Sequence, residues 1–307
     1  MKHLFIVNPK AGGKDCTEDV RRRVAAALQS CDDDWEVYVT KAPMDAVEKI
    51  RAEAESGGEL RVYACGGDGT FNECVCGAAE RANVAVCPFP TGTGNDFCRM
   101  FGEEKDLFRD LEAVLAGSVH PIDVIACNGR YSVNICSVGV DARIGCDVHK
   151  YSGLPLIGGA TGYVVSAVVN VCKGINRHMR VQCGDYAGEG GYALIAACNG
   201  RFYGGGFNPS LNAMPDDGIL DIYVVPEVSL FTLARLIGKY ASGRADECQG
   251  RILHLRGTEL TIDFNEDNIV NIDGEALFAT HVHMKLIPGG LKLIVPRGMR
   301  FFEKSGS

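Results

Sequence analysis

Residues 60–73, LRVYACGGDGTFNE, read as a strand that runs into a glycine turn and then opens a helix. LRVYAC (60–65) is a short apolar run of strand length, rich in β-formers. GGDGTFNE (66–73) removes side chains where the backbone must turn sharply or come close to something. The construction occurs twice more, as HLFIVN (3–8) into NPKAGG (8–13) and NVAVCPF (83–89) into PTGTGNDFCR (90–99). WEVYVT (35–40) supplies a further strand, and TEDVRRRVAAALQS (17–30) and PMDAVEKIRAEAES (43–56) supply helices, the second opening on Pro. This alternation predicts an α/β N-terminal domain with a parallel sheet, with ligands beyond the carboxyl ends of its strands.

After about residue 125 the texture changes. RYSVNICSV, MRVQCG, GYALIAACN, GILDIYVVPE, GTELTIDF, NIVNIDGE and HVHMKLIP read as successive strands separated by Gly, Pro or Asn-Asp breaks. Helical insertions near 158–173 and 229–241 interrupt them. The pattern is that of a C-terminal antiparallel β-sandwich domain. The expected division is residues 1–125 and 126–296, and the final strand LKLIVP and the tail over about 297–307 can return to the first domain.

The chain has 307 residues, and its 31 Lys+Arg against 39 Asp+Glu give a net charge of −8. That balance argues against sequence-blind nucleic-acid binding, which needs clustered cations. Hydrophobic content of 46% and charged content of 23% exclude a disordered chain. The 14 cysteines include Cys65, Cys87, Cys136, Cys172 and Cys198 in apolar runs, and no CxxC occurs. With an opening MKHLFIVNPK that lacks a signal-peptide pattern, the expectation is reduced structural thiols in a cytosolic protein. LPLIGGATGYVVSAVVNVC (154–172) has almost the length of a bilayer span. Its adjacent glycines, Thr161, Ser166 and Asn170 make a buried or groove-lining helix the better reading.

Three glycine loops at one sheet edge converge on one crevice, where backbone N–H groups and helix N-termini meet an anion. GxxxxGK[ST], GxGxxG and GxSxG are all absent. Asp68 and Asp96 lie inside two of the loops, where a carboxylate can hold Mg²⁺ or orient a hydroxyl. Capping of the following helices is the plainer role for either. NIDGE (271–275) and the segment around Asp216, Asp217 and Gly218 fit a carboxylate site or a simple turn equally well. His281 and His283 share one strand face and are a minor metal candidate. The Arg21–Arg23 run reads as a solvated helix face that has some prospect of touching anionic lipid.

Together NPKAGG, GGDGTFNE, PTGTGNDF-x-R, the GGG and A-x-P-x-DG-x-LD segments, and DGE resemble the bacterial diacylglycerol kinase family of lipid kinases. That family is related to sphingosine kinases and, more distantly, to NAD kinases, and the resemblance covers nearly the whole chain. It implies an ATP- and Mg²⁺-dependent transfer of the γ-phosphoryl group to a lipid alcohol such as diacylglycerol. By the same resemblance Asn8, Pro9, Lys10, Ala11, Gly12, Thr40, Gly66, Gly67, Asp68, Gly69, Thr70, Phe71, Asn72 and Thr93 contact ATP. Asp68 and Asp96, with Asp123, organise the catalytic Mg²⁺ and the phosphates. Glu275 is the proton acceptor, with Asp273 as the other candidate. A structural Mg²⁺ is held by Asp217 and by the carbonyls of Met214 and Ile219. Ala11 departs from the Ser common in NPxSGG, which loses a hydroxyl but keeps the backbone donors.

A neutral alcohol needs only a positioned carboxylate to accept its proton late in a loose transition state. The 154–172 segment, with Val165 and Val168, is the candidate wall of the lipid cleft. The competing readings are a NAD kinase-like enzyme with a soluble acceptor and a non-catalytic nucleotide- or lipid-binding regulator. The expected setting is cytoplasmic, with transient contact at the inner membrane face through local patches and no nucleic-acid partner; a homodimer is left open.

Overall fold

The computed structural model describes residues 1–13, 15–29, 31–92, 95–152, 169–171, 173–248 and 250–303, with side chains of 148–152 excluded. Thr93, Val165 and Val168 therefore lie outside the described residues, as does nearly all of the 154–172 segment. The chain divides into two units, Met1–Val124 with Pro288–Ser307, and Ile125–Ile287.

The first unit is built on β1 (Lys2–Val7), β2 (Asp34–Val39), β3 (Leu60–Gly66) and β4 (Val84–Pro90). β1 pairs in parallel with β2 and β3, and β3 pairs in parallel with β4. Leu4, Phe5, Ile6 and Val7 are all inaccessible, as befits a strand covered on both faces. Helices α1 (Thr17–Ala27), α2 (Asp45–Ala54), α3 (Asp68–Ala78), α4 (Asp96–Arg99) and α5 (Leu111–Leu115) complete the unit. A Cβ on Gly77 of α3 would stand 2.9 Å from Cβ of Ile50 on α2, so glycine allows these two helices their close packing.

β5 (Ser118–Cys127) leads out of this unit, and β13 (Glu275–Val295) leads back into it. The end of β13 pairs in parallel with β4 through Lys292–Ala85 and Leu293–Val86. Residues 288–295 thus belong to the first unit: the second unit ends at Ile287 rather than at the expected 296, and the final strand LKLIVP groups with the first, the return that its sequence allows. The reason is local: LKLIV is apolar enough to sit as an inner strand, with Leu293 and Ile294 inaccessible. The tail follows, where Phe301 packs 4.7 Å from Phe101 and Phe302 stacks 4.1 Å from His120.

The second unit comprises β6 (Arg130–Ser132), β7 (Ile135–Gly139), α6 (Val140–Ser152), β8 (Arg177–Cys183), β9 (Tyr186–Cys198), β10 (Leu220–Pro226), α7 (Leu230–Tyr240), β11 (Leu253–Gly257) and β12 (Glu259–Ile272), with most of β13. Its strands run β11-β10-β9-β7-β12-β13, all pairs antiparallel. β8 pairs with the first half of β9 and of β12, and β7 pairs with their second halves. Those long strands therefore change neighbours midway, β12 through an irregularity between Asp263 and Asn268. One core lies among Ile125, Val138, Val181, Ile195, Ile262 and Val282; a second sits under α7 around Leu194, Tyr223, Leu233 and Leu236. The described cysteines are free thiols, and burial pushes those of Cys65, Cys74, Cys87, Cys98 and Cys198 well up, which makes them unreactive.

Candidate active site

Because β1, β2, β3 and β4 are mutually parallel, the loops that follow them leave from one edge of the sheet. Thr40, just past β2, donates its N–H to the carbonyl of Val7 at 2.9 Å, so it abuts the start of the first loop. Asn8 donates from its backbone to Cys65 at 3.2 Å and from Nδ2 to Thr70 Oγ1 at 3.3 Å, tying the first loop to the second. Its Oδ1 also accepts from the Lys10 N–H at 3.0 Å. Thr91 donates to the Gly66 carbonyl at 3.3 Å, tying the third loop to the second. The first and third loops touch backbone to backbone: a Cβ on Gly12 (φ +70°) would come within 3.2 Å of the Gly92 Cα.

Asp68 is the hinge of this arrangement. It stands at the start of α3 but does not cap that helix; its carboxylate accepts the N–H of Asp96 at 2.8 Å and of Phe97 at 3.4 Å, the first donors of α4. Asp68 thus caps a helix that begins 28 residues later. The N-cap of α3 is Gly67, which makes no side-chain cap bond, and the N–H groups at a helix start suit an anion. Asp96 is buried, with Arg99 Nε 2.9 Å from its Oδ1. Below the loop, the Phe97 ring lies 5.0 Å from Phe71 and 5.6 Å from Phe101.

Two arginines flank the third loop, and no local pattern in the sequence marks either role. Arg109 donates to the Gly92 carbonyl at 3.2 Å. Arg23 donates to the Arg109 carbonyl at 2.9 Å and lies over the Phe89 ring, so it is not a plain solvated residue. Arg21 and Arg22 do match the solvated reading, paired with Glu18 and Asp19. Asp123 is buried on β5, and its Oδ1 accepts the Gly289 N–H at 2.8 Å. That bond commits one oxygen of the expected Mg²⁺ ligand to the β13 backbone.

In the second unit, NIDGE forms the β12–β13 hairpin, with Ile272 facing Glu275. Asp273 (φ +50°) and Gly274 (φ +97°) both take positive φ, as a two-residue type I′ turn requires. The Asp273 carboxylate accepts from Ser132 Oγ at 2.6 Å and from the N–H groups of Val133, Asn134 and Ile135 at 2.9, 3.2 and 2.9 Å. It is an anchor for the 132–135 segment. Glu275 is exposed, and its carboxylate has no hydrogen-bond or ion-pair partner among the described residues. The two candidates for proton acceptor thus separate.

Residues 2–127 match the family model of the diacylglycerol kinase catalytic domain, and residues 134–295 match that of the YegS C-terminal NAD kinase beta sandwich-like domain. The chain belongs to the diacylglycerol kinase family of lipid kinases. A Pseudomonas aeruginosa protein named "Probable lipid kinase YegS-like" is 28% identical over 97% of this kinase and 95% of its own length. A Shewanella frigidimarina protein of the same name is 27% identical over 93% and 92%. A crystal structure from Bacillus anthracis strain Sterne superposes with a TM-score of 0.74 at 27% identity, covering 97% of this chain and 98% of that one. The kinase is a phosphotransferase with an alcohol acceptor, and no helix among its described residues is long and apolar enough to cross a membrane.

Two further candidate clusters lie in the second unit. Asp217 accepts the Ile219 N–H at 3.0 Å and lies 3.6 Å from Arg256 Nη2. The Arg201 guanidinium donates to the Ala213 carbonyl and contacts Met214 Sδ. Arg256 thus stands beside the carboxylate that the resemblance assigns, with the carbonyls of Met214 and Ile219, to a structural Mg²⁺. His281 pairs with Asp263 and His283 with Glu259 across the strands, and no group of three metal-ligating side chains occurs among the described residues.

Sequence reading passed over Asp141, in the first turn of α6. Burial pushes its carboxyl up to about 6, against the bonds from Ser137 and from Tyr203 that favour the charged form. The native state therefore holds a proton between the ordinary value of 3.8 and about 6, where the unfolded chain does not. That contribution to stability is fully present below 3.8 and is lost as pH rises through about 6. Asp141→Asn is expected to stabilise the kinase by about 1–3 kcal/mol near neutral pH and by little in acid. Urea unfolding of both proteins at about pH 3.5 and about pH 8 measures the difference; a gain equal at both would contradict it.

Proposed function

We propose that the kinase transfers the γ-phosphoryl group of ATP, with Mg²⁺, to the hydroxyl of diacylglycerol or a related lipid alcohol. The observation that supports this most is the mutual bracing of the three glycine loops, with Asp68 holding the start of α4. Asn8, Pro9, Lys10, Ala11, Gly12, Thr40 and Gly66–Asn72 would hold the nucleotide, with Thr93 in the same set outside the described residues. The uncapped start of α3 offers N–H groups to phosphate oxygens, and Arg23 and Arg109 add positive charge beside the third loop. Asp68 and Asp96 suit Mg²⁺ as that ion is commonly bound, through one or two carboxylates completed by substrate phosphates. The bound nucleotide and ion would supply the phosphoryl group and neutralise charge developing on it.

Glu275 would accept the proton of the alcohol, being the carboxylate of the DGE turn that no donor among the described residues occupies. Asp273 would hold the turn that presents it. The apolar 154–172 segment remains the proposed wall of the lipid cleft.

Equilibrium binding of ATP tests the nucleotide half of this reading. Gly12→Val places a branched side chain at φ +70° against the Gly92 backbone, and should weaken ATP binding at least roughly tenfold. Unaltered affinity would remove the first loop from the nucleotide site. NAD is the competing acceptor, favoured by the likeness of the sandwich to that of NAD kinases. Phosphorylation of NAD without phosphorylation of any lipid alcohol would select it.

A further inference from the structure

The start of α7 exposes two large apolar side chains side by side. Leu230 is 52% and Phe231 67% exposed, although the helix buries Leu233, Leu236 and Tyr240 on its other side. Ala234, one turn on from Phe231, faces outward too, and Arg235 lies over the Phe231 ring at 4.1 Å. Between Val228 and Tyr240 the only charged residues are Arg235 and Lys239. The neighbouring 173–178 segment carries Lys173 and Arg177 and no acid. It is fastened to the start of α7 by Asn176, which donates to the Val228 carbonyl at 2.9 Å and accepts the Val228 N–H at 3.2 Å. Arg177 contacts only backbone carbonyls among the described residues, and Lys173 lies 3.8 Å from Asp147. The nearest acid in sequence, Glu227, folds over Gly191.

We propose that this face, Leu230 and Phe231 with Arg235 over the ring and Arg177 on the segment fastened to the start of α7, is where the kinase seats on an anionic bilayer. The inference rests on the lipid-acceptor reading for its purpose, since an acceptor dissolved in a bilayer must be met at its surface. Its physical basis is independent of that reading. A chain of net charge −8 is repelled as a whole by anionic lipid, so contact requires a local patch of opposite sign with apolar groups to insert. Phe231 and Leu230 supply the insertion, and Arg235 reaches past the Phe231 ring toward phosphate groups. The Arg21–Arg23 run cannot do the same, because Glu18 and Asp19 neutralise Arg21 and Arg22 and Arg23 is turned to Arg109.

Sedimentation of the full chain with vesicles tests the proposal, using phosphatidylcholine alone and phosphatidylcholine mixed with phosphatidylglycerol. The wild type should partition onto the mixed vesicles. The double variant Leu230→Ser/Phe231→Ser should lose roughly tenfold or more in partition coefficient. Arg235→Ala should lose about fivefold, and Arg22→Ala should behave as wild type. Turnover of a water-dispersed short-chain diacylglycerol should be unchanged in all of them, and turnover of the vesicle-embedded lipid should fall with partitioning. Wild-type partitioning by both α7 variants would overturn the proposal, as would indifference of the wild type to anionic lipid. A dimer, seen by analytical ultracentrifugation and abolished by Leu230→Ser/Phe231→Ser, would give the face to a second copy and also overturn it. Partitioning as expected without turnover of any lipid alcohol would support the docking face and defeat the acceptor reading alone.

Discussion

Asp68→Ala is expected to lower kcat by roughly 10²–10³-fold and to lower the melting temperature as well. Both effects follow from one carboxylate. It accepts the first N–H groups of α4, and removing it strands those donors at a cost of about 1–2 kcal/mol. It also fixes the spacing between the second and third glycine loops, which phosphoryl transfer needs because its catalysis is mostly positioning and electrostatics. Asp68→Asn separates the two roles. The amide oxygen can still accept from Asp96, so most of the stability should return, while the charge that suits Mg²⁺ does not. Steady-state kinetics with thermal melts on both variants would read this. Recovery of full kcat in Asp68→Asn would reduce Asp68 to a cap.

Glu275→Gln and Asp273→Asn should fail in opposite ways. Glu275 is exposed and its carboxylate has no hydrogen-bond or ion-pair partner among the described residues, so its amide variant should melt within about 0.5 kcal/mol of wild type. Its kcat should fall by about 10²–10⁴-fold, the usual size of a lost general base. Asp273 accepts from a hydroxyl and three backbone N–H groups, and its amide variant turns two donors of its own toward some of them. That variant should lose about 1–3 kcal/mol of stability, with a smaller change in kcat measured on folded protein. An active Glu275→Gln beside a stable, inactive Asp273→Asn would reverse the assignments.

What the sequence could and could not disclose follows from range. The buried strands are legible because LFIV and LRVYAC are apolar over strand length, and DG at 273–274 announces a two-residue hairpin turn. The glycine loops are legible because each one follows its strand directly. Asp68 as the cap of α4 is not legible, since its donors are 28 residues away and nothing local distinguishes it from a cap of α3. The same holds for Asp273 and Glu275: both look like ligands in NIDGE until the 132–135 segment, some 140 residues earlier, is seen to occupy one of them. Arg23 and Arg109 share the difficulty, as an arginine in a polar helix gives no hint of the loop it will reach. Asp141 is hidden for a different reason, because its raised proton affinity comes from burial rather than from any neighbour in sequence.

The most direct measurement is identification of the phosphorylated product. Purified kinase, ATP labelled in the γ-phosphoryl group and Mg²⁺ are incubated with diacylglycerol vesicles, a panel of other lipid alcohols, and NAD. The account predicts label on the free hydroxyl of a lipid alcohol, dependent on Mg²⁺ and lost in Glu275→Gln. Label on NAD, or on no acceptor while ATP remains intact, would contradict it.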